Sequence, residues 1–522
     1  MSQAIPGRST GCKWEIRKKF QRLMLFNSWQ FIFGFLPVTF IGFLILGRWR
    51  PRVAAAWLAG ASVFFYGWWS LMALPILMTS ATTNYLFGRR LSTFPAYHQG
   101  LGRWILILAL GLNLSVLAFF KYANFFIDNA NLILVQAGLQ RFREINILLP
   151  IGISFFTFTQ IAFLVDCWQG KAKEAKFVHY LLFVTYFPHL IAGPVLHHGQ
   201  MMPQFANPDV YRLNLAKVFD GLTIFALGLA KKLILADGLA DFVGAGFSAA
   251  SRGDPIYFLD GWFTIISYTL QIYFDFSGYS DMAIGLSLLF GIDLPINFNS
   301  PYQASSIIDF WRRWHISLST FLRDYLYIPL GGNRFGEVRR YINLLVTMVL
   351  GGLWHGASWN FILWGAAHGL LLTVNHLWKD FGFFKMGNHP VGRWSARVAT
   401  FLAVSFAWVL FRAENLAATL NIYTGMVGFR GAVLPEQIAA IIPAGKRFFA
   451  TVGNLRSLGA GAVMGVIEQT VLMVVGLAIC FWMPQIRQLN TTKRLALITL
   501  STGFIIQALL FAAPKEFMYF QF

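Results

Sequence analysis

The sequence predicts an all-α polytopic membrane protein, because it is rich in apolar residues and contains two long uncharged stretches. Of its 522 residues, 57% are hydrophobic and 12% are charged, whereas about a quarter of the residues are charged in an ordinary soluble domain. Residues 53–88 and 341–378 contain no Asp, Glu, Lys or Arg over 36 and 38 positions. One helical crossing takes roughly 20 residues, so each stretch is expected to cross the bilayer twice.

Further apolar windows bring the expected total to about 11–13 membrane segments, some of them re-entrant. The windows lie near residues 30–47, 53–88, 104–120, 146–165, 177–196, 218–235, 255–274, 276–292, 341–378, 398–411, 461–486 and 495–513. They are not interrupted by a long polar linker or a low-complexity tract. Residues 24–522 are therefore expected to form a single integral membrane domain.

Basic residues outnumber acidic residues by 42 to 22, which gives a formal charge of +20. The positive-inside rule accounts for this excess, because Lys and Arg concentrate in cytoplasmic loops. Nucleic acid is therefore not expected as a partner. Residues 1–23 are also basic and are expected to form a cytoplasmic N-terminal extension. The clusters assigned to the cytoplasm are Arg48, Arg50 and Arg52; Arg89 and Arg90; Lys231 and Lys232; Arg312 and Arg313; and Arg339 and Arg340.

The cysteines and histidines give little support to a metal site. Cys12, Cys167 and Cys480 are far apart in the sequence, which argues against a disulfide framework or a zinc cluster. Zinc sites on helices favour histidine pairs at i and i+4. His355 and His368 are 13 residues apart and would face roughly opposite sides of a continuous helix. No metal and no bound cofactor are therefore expected.

Two carboxylates, Asp275 and Asp281, interrupt an apolar run in the centre of the chain. Acidic side chains inside a membrane are costly and by default indicate a functional or structural polar interior. Two interpretations stay open. The carboxylates either pair with arginine or backbone groups to hold helices together, or they contact a substrate.

The segment Ile307–Tyr325 mixes charged and aromatic residues at near-helical spacing. This pattern is typical of an amphipathic helix lying at the cytoplasmic interface, and the helix would include His315. Its candidates for binding a donor or an acceptor are Trp311, Arg312, Arg313 and Trp314.

His355 is a titratable residue within the second uncharged stretch. It follows Arg340 by 15 residues and lies among glycines, with Trp354 adjacent. The glycines are expected to weaken the helix and to let substrate and backbone approach closely. Imidazole is a useful proton acceptor near neutral pH. A general base and a hydrogen-bonded structural histidine are both compatible with this setting.

Several motifs, in order along most of the chain, resemble the membrane-bound O-acyltransferase family. Within the family they are similar to the branch of the alginate O-acetyltransferase membrane subunit and related bacterial polysaccharide acetylation proteins. The motifs are LFNSWQFIFGFLP at 25–37, LPIGISFFTF at 149–158, FPHLIAGP at 187–194, YFDFSGYSD at 273–281, the two segments that contain His315 and His355, and FMYFQF at 517–522.

This resemblance implies a ring of tilted helices around a central funnel or tunnel, and it implies roles for two histidines. The histidine of the family's Leu-Trp-His-Gly segment is its proposed catalytic residue and corresponds to His355. His315 corresponds to its usual partner. Members of the branch begin near Met24, which makes residues 1–23 an extension or an overcalled start. His197 and His198 follow the Gly-Pro pair where Arg is more usual.

The resemblance further implies an O-acyltransferase of the bacterial inner membrane. It would take an acetyl group from a cytoplasmic thioester, acetyl-CoA being the expected donor. Periplasmic or membrane-anchored partner proteins would use that group to O-acetylate an exopolysaccharide such as alginate. His355 would be the general base, and Asn360, Trp354 or glycine N–H groups would hold the oxyanion. Two alternatives stay open: a D-alanyl or fatty acyl donor, and a non-catalytic lipid or polysaccharide transporter.

Overall fold

The computed structural model describes residues 24–173, 176–191, 193–380, 389–434, 449–451, 460–511, 515, 517 and 518. These residues are almost entirely helical, which confirms the predicted all-α class. The first half contains α1 Leu36–Trp49, α2 Pro51–Trp69, α3 Leu74–Leu91, α4 Leu101–Gln136, α5 Ile153–Trp168, α6 Phe177–Thr185, α7 Phe187–Leu190, α8 His198–Ala206, α9 Leu215–Ala230 and α10 Asp237–Arg252. The second half contains α11 Phe258–Leu289, α12 Ile307–Arg313, α13 Ile316–Leu322, α14 Gly336–His355, α15 Trp359–Asp380, α16 Pro390–Arg412, α17 Leu416–Met426, α18 Ala460–Trp482 and α19 Thr491–Phe511.

Short irregular elements join or extend these helices. Two three-residue strands, β1 Ala432–Leu434 and β2 Phe449–Thr451, pair in parallel with Ala432 opposite Phe449. The π-helical turns are Gln30–Phe35, Lys231–Ala236 and Arg323–Tyr327, and the 3-10 turns are Pro208–Tyr211, Pro301–Gln303 and Ile486–Gln488.

Four helical stretches in the described part of the chain are long and apolar enough to cross a bilayer. Ile153–Trp168 and Ile467–Trp482 are apolar but shorter. The total of about 11–13 membrane segments stays a prediction. The four long stretches are Gln30–Trp49, Leu101–Gln136, Pro390–Arg412 and Thr491–Phe511.

Arginines cluster at one end of the first three helices. Arg50 lies in the turn between α1 and α2, and Arg89 lies in the last turn of α3; we call this end the basic face. At the other end, the opposite face, Trp69 donates a hydrogen bond from Nε1 to the Met24 carbonyl at 3.2 Å. If α1 crosses the bilayer, Met24 and the Arg50 turn lie on different sides. The prediction that residues 1–23 are cytoplasmic concerns residues outside the described ranges.

Helix α11 corrects the prediction of two separate segments at 255–274 and 276–292, because it continues through both over 32 residues. Its end lies at the basic face. Gly291 packs on the backbone of Val210, and the adjacent Tyr211 packs on Gly47 near the end of α1.

Glycines let α9 and α11 pack with their backbones in close contact. A Cβ atom on Gly228 would lie 2.8 Å from the Gly278 carbonyl oxygen, and one on Gly221 would lie 2.6 Å from the Gly285 carbonyl oxygen. Small residues commonly allow such approach between membrane helices. This contact fixes α11, whose polar residues form one wall of the site described below.

Candidate active site

His355 is the last residue of α14, and its side chain is buried. Its imidazole is surrounded by aromatic rings, with centroid distances of 4.9 Å to Trp354, 5.0 Å to Phe411 and 5.2 Å to Trp364. It also lines a cavity of about 130 Å³. We call this the opposite-face cavity, and its lining is Lys121, Leu149, Pro150, Ile151, Gly152, Ile153, Ser154, Phe155, Ile191, Trp354 and His355.

This cavity lies toward the opposite face. The Tyr66 hydroxyl, one turn before the end of α2, donates a hydrogen bond to the Ile151 carbonyl in the cavity wall at 3.0 Å. His355 therefore faces a cavity whose wall is held from the opposite face.

The glycines before His355 do not weaken α14, contrary to the prediction. Gly351 and Gly352 lie within a regular helix that runs to His355. A Cβ atom on Gly352 would lie 2.2 Å from the Phe361 carbonyl oxygen. The glycine thus allows α14 and α15 to approach each other, which holds His355 against the aromatic residues of α15.

We expect Gly352→Ala to separate these two helices, because the added methyl group meets backbone that cannot give way locally. Overpacking of this kind typically costs about 1–3 kcal/mol. Acyl transfer should fall at least about tenfold, since small displacements of catalytic groups are costly. Transfer rate and thermal stability of the purified protein measure both effects. Gly60→Ala is the control, because a Cβ atom there meets no atom within 4 Å. Wild-type behaviour of Gly352→Ala would contradict this account.

Helix α4 holds the end of α14 from the other side. The Lys121 ammonium donates hydrogen bonds to the Trp354 carbonyl and, at 3.3 Å, to Ser154 Oγ. The Tyr122 hydroxyl donates to the Leu353 carbonyl at 2.8 Å. Sequence reasoning missed Lys121 because the apolar window was ended at residue 120. The available signal was a lone lysine inside a longer apolar helix.

His315 does not lie on an amphipathic interfacial helix, which corrects the prediction for Ile307–Tyr325. The segment breaks into α12 and α13, and His315 adopts a left-handed backbone conformation with φ of 43° at the break. Its side chain is buried with Trp314. His315 Nδ1 lies 3.2 Å from Asn297 Oδ1, which also accepts a hydrogen bond from the Ser317 hydroxyl at 2.9 Å. These polar partners support the break inside the protein.

The structure places His315 and His355 near the same indole. The Trp354 ring centroid is 6.3 Å from that of His315 and 4.9 Å from that of His355. On the His315 side, a narrow cavity of about 20 Å³ reaches Asn297. Its lining includes Arg487, which lies 3.9 Å from Asp293 just beyond the end of α11. We call this the basic-face cavity. The two histidines thus lie between cavities that approach from the two faces.

Most of the other predicted binding residues line neither cavity. Asn360 donates hydrogen bonds to the Ala413 carbonyl at 2.8 Å and to Thr419 Oγ1 at 3.3 Å. Because the Asn360 amide nitrogen donates both of these hydrogen bonds, the geometry does not support Asn360 as an oxyanion donor. Trp311 donates a hydrogen bond from Nε1 to His368 Nδ1 at 3.3 Å, and Trp314 stacks on Phe310. Arg313 forms an ion pair with Asp309 at 2.8 Å. The side chain of Arg312 is exposed.

The two intramembrane carboxylates form ion pairs. Asp281 contacts Lys231 at 2.6 Å and lines the basic-face cavity. Asp275 contacts the buried Lys232 at 2.5 Å, and Lys232 also contacts Asp237 at 2.9 Å. The two lysines are therefore not a cytoplasmic loop cluster, which corrects that prediction. The interpretation that these carboxylates form ion pairs between helices is confirmed, but the partners are lysines and not arginines.

The carboxylate of Asp275 also holds the C-terminal segment. It accepts a hydrogen bond from the Met518 backbone N–H at 2.8 Å, and Phe517 is buried beside it. Among the residues that the structure describes, no group of three His, Cys, Asp or Glu side chains is placed to hold a metal ion.

Comparison with known proteins gives the chain a family. Residues 63–408 match the model of the membrane-bound O-acyltransferase family. A peptidoglycan O-acetyltransferase of Helicobacter pylori is 44% identical over 79% of this chain and 81% of its own length. A probable alginate O-acetylase of Pseudomonas aeruginosa is 44% identical over 78% of this chain and 75% of its own.

A teichoic acid D-alanyltransferase of Bacillus subtilis is more distant, at 28% identity over 52% of this chain and 70% of its own length. The family model spans more than half of the 522-residue chain. The bacterial O-acetyltransferases align with most of the chain. The chain belongs to the membrane-bound O-acyltransferase family and is an O-acyltransferase of its alginate O-acetylase branch.

Proposed function

We propose that the chain takes an acetyl group from a cytoplasmic thioester and passes it across the inner membrane for O-acetylation of an envelope or extracellular polysaccharide. The observation that carries this proposal is the position of His315, Trp354 and His355 between the basic-face and opposite-face cavities. An enzyme that received donor and acceptor from the same side would have no need of two approaches.

The basic face is the proposed cytoplasmic side, because Lys and Arg concentrate there. Acetyl-CoA, a phosphate-rich thioester, would be attracted to this face, where Arg487 lines the basic-face cavity. The end of α1 near Met24 is then periplasmic. The acceptor hydroxyl, or a periplasmic or membrane-anchored partner protein that carries it, would approach His355 from the opposite face.

In the proposed reaction His355 acts as general base. It takes the proton of the acceptor hydroxyl while the oxygen attacks the thioester carbonyl carbon. The C–O bond forms, the C–S bond breaks, and the thiolate leaves with the proton returned from His355. The products are an ester and a free thiol. His315, held by Asn297, supports the other side of Trp354.

The acetyl donor is favoured over D-alanyl because the more similar relatives are O-acetyltransferases by name, at 44% identity, and the D-alanyltransferase stands at 28%. A transporter without covalent chemistry gives no role to His355 and does not fit the family.

The test uses inverted membrane vesicles, whose cytoplasmic face is accessible, from cells that express the chain with its native partner genes. Radiolabelled acetyl-CoA, D-alanyl thioester and palmitoyl-CoA are added separately, and alkali-labile label in polysaccharide is counted. We expect label from acetyl-CoA alone. Label from D-alanyl thioester or palmitoyl-CoA alone would overturn the acetyl assignment, and absence of label from all three would overturn the reaction.

A further inference from the structure

Lys121 carries an ionisable side chain into the wall of the opposite-face cavity. It lies 18 residues beyond Arg103 in α4, or about 27 Å along the helix. Lysine at such a depth is costly, and a charged residue inside a membrane segment suggests function by default. Among the residues that line this cavity, Lys121 and His355 carry the two basic side chains.

The hydrogen bonds of Lys121 leave room for a ligand. An ammonium group has three N–H donors, and two of them have acceptors in the Trp354 carbonyl and Ser154 Oγ. These two acceptors belong to α14 and α5, so they fix the ammonium at the end of the helix that carries His355. Among the described residues these are the two recorded acceptors of the ammonium, which also lies 5.7 Å from the Trp354 ring centroid. In the inference below, the third donor binds an acceptor atom inside the cavity.

We infer that Lys121 is a further catalytic residue, whose ammonium binds the acyl carbonyl oxygen of the substrate in the opposite-face cavity. This inference rests on the proposed function. When the acceptor oxygen attacks the carbonyl carbon, the carbonyl π electrons move onto the carbonyl oxygen. A fixed cation beside the carbonyl oxygen stabilises the negative charge that develops there. The charge returns to re-form the carbonyl as the thiolate leaves. Lys121 keeps its proton throughout, and His355 carries out the proton transfer.

A purely structural role for Lys121 makes a different prediction. Cations at a helix C-terminus stabilise the last carbonyls, and Lys121 occupies that position on α14. Tyr122 caps the preceding carbonyl, Leu353, without any charge. Tyr122→Phe therefore removes a neighbouring cap from the same helix end and is the matched control.

The experiment measures acetyl transfer from radiolabelled acetyl-CoA in the inverted vesicles described above, per molecule of enzyme, over a range of acetyl-CoA concentrations. Wild type is compared with Lys121→Met, Lys121→Arg, Tyr122→Phe and His355→Gln. We expect Lys121→Met to lower the saturated rate at least about 100-fold, as loss of one oxyanion donor typically does, with KM changed less than about threefold. Lys121→Arg should recover part of the rate, and Tyr122→Phe should lose less than about fivefold.

Thermal stability in detergent separates the two roles, because capping predicts similar losses for Lys121→Met and Tyr122→Phe. The inference is overturned if the saturated rates of these two variants fall equally. If Lys121→Met does not accumulate in the membrane, Lys121→Gln is judged by the same criteria. A wild type without transfer would overturn the proposed function instead. An active wild type, a silent His355→Gln and a Lys121→Met equal to Tyr122→Phe would overturn only the role of Lys121.

Discussion

His355→Gln is expected to reduce acyl transfer by at least about 100-fold, because a positioned general base typically contributes a factor of 10² to 10⁴. Glutamine has nearly the length of histidine and keeps hydrogen-bonding atoms, so the ring of Trp354, Trp364 and Phe411 around position 355 should stay packed. The measurement is label transfer from acetyl-CoA at matched membrane abundance, followed by the acetyl content of the polysaccharide in a deletion strain.

His368→Gln is the matched control for this variant. His368 is also fully buried, it lies on α15, and its ring centroid is 4.9 Å from that of Trp364, which also contacts His355. It lines neither of the two cavities described above. We expect His368→Gln to lose stability by about 0.5–3 kcal/mol, because the amide replaces a ring packed against Trp311, Trp364 and Trp408, while transfer stays within a few-fold of wild type. Equal transfer by the His355 and His368 variants would remove His355 from the mechanism.

Lys232→Met is expected to be the most destabilising of the substitutions considered, with a loss of about 3–5 kcal/mol in the free energy of unfolding. The Lys232 side chain is 1% exposed and contacts both Asp275 and Asp237. Its removal leaves the buried carboxylate of Asp275 and the partly buried carboxylate of Asp237 without their shared cation. The quantities to measure are the amount of protein in the membrane and the midpoint of thermal unfolding in detergent.

Lys231→Met is the control for this prediction. Lys231 is the neighbouring residue and pairs with a single carboxylate, Asp281, with both side chains 17% exposed. Water can hydrate Asp281 after the loss of its partner, so the expected cost is about 1 kcal/mol. Equal thermal stability of the Lys232 and Lys231 variants would show that the ion pairs of Lys232 with Asp275 and Asp237 have no special structural importance.

Several parts of the fold and the site follow from the sequence alone. Apolar windows near residues 30–47, 104–120, 398–411 and 495–513 were predicted to be membrane segments, and the structure has long apolar helices at 30–49, 101–136, 390–412 and 491–511. His355 was singled out as a titratable group in an apolar run with recognisable motifs. Pairing between helices was one of the two interpretations left open for Asp275 and Asp281, and both carboxylates pair with lysines from another helical segment.

Other parts were not predictable from local patterns. The sequence around Trp314 and His315 contains no glycine or proline that would signal a break in the helix. The chain nevertheless bends there, because Asn297 offers polar partners inside the protein. Lys231 and Lys232 look like a loop cluster in sequence, but carboxylates on α10 and α11 hold them inside. Lys121 lies one residue beyond the predicted apolar window, and no local pattern indicates its partner at Trp354, 233 residues away.

The sequence by itself determined where this protein resides and which side chains are unusual there, because apolar periodicity and the cost of charge in a membrane are local properties. Only the tertiary structure decided which unusual groups meet. In apolar surroundings every polar group needs a partner. The partner of Lys121 is Trp354, 233 residues away, and that of His315 is Asn297, in the loop after α11. The site therefore depends on the helix packing that joins α4, α11 and α14, which is set by contacts that no single segment contains.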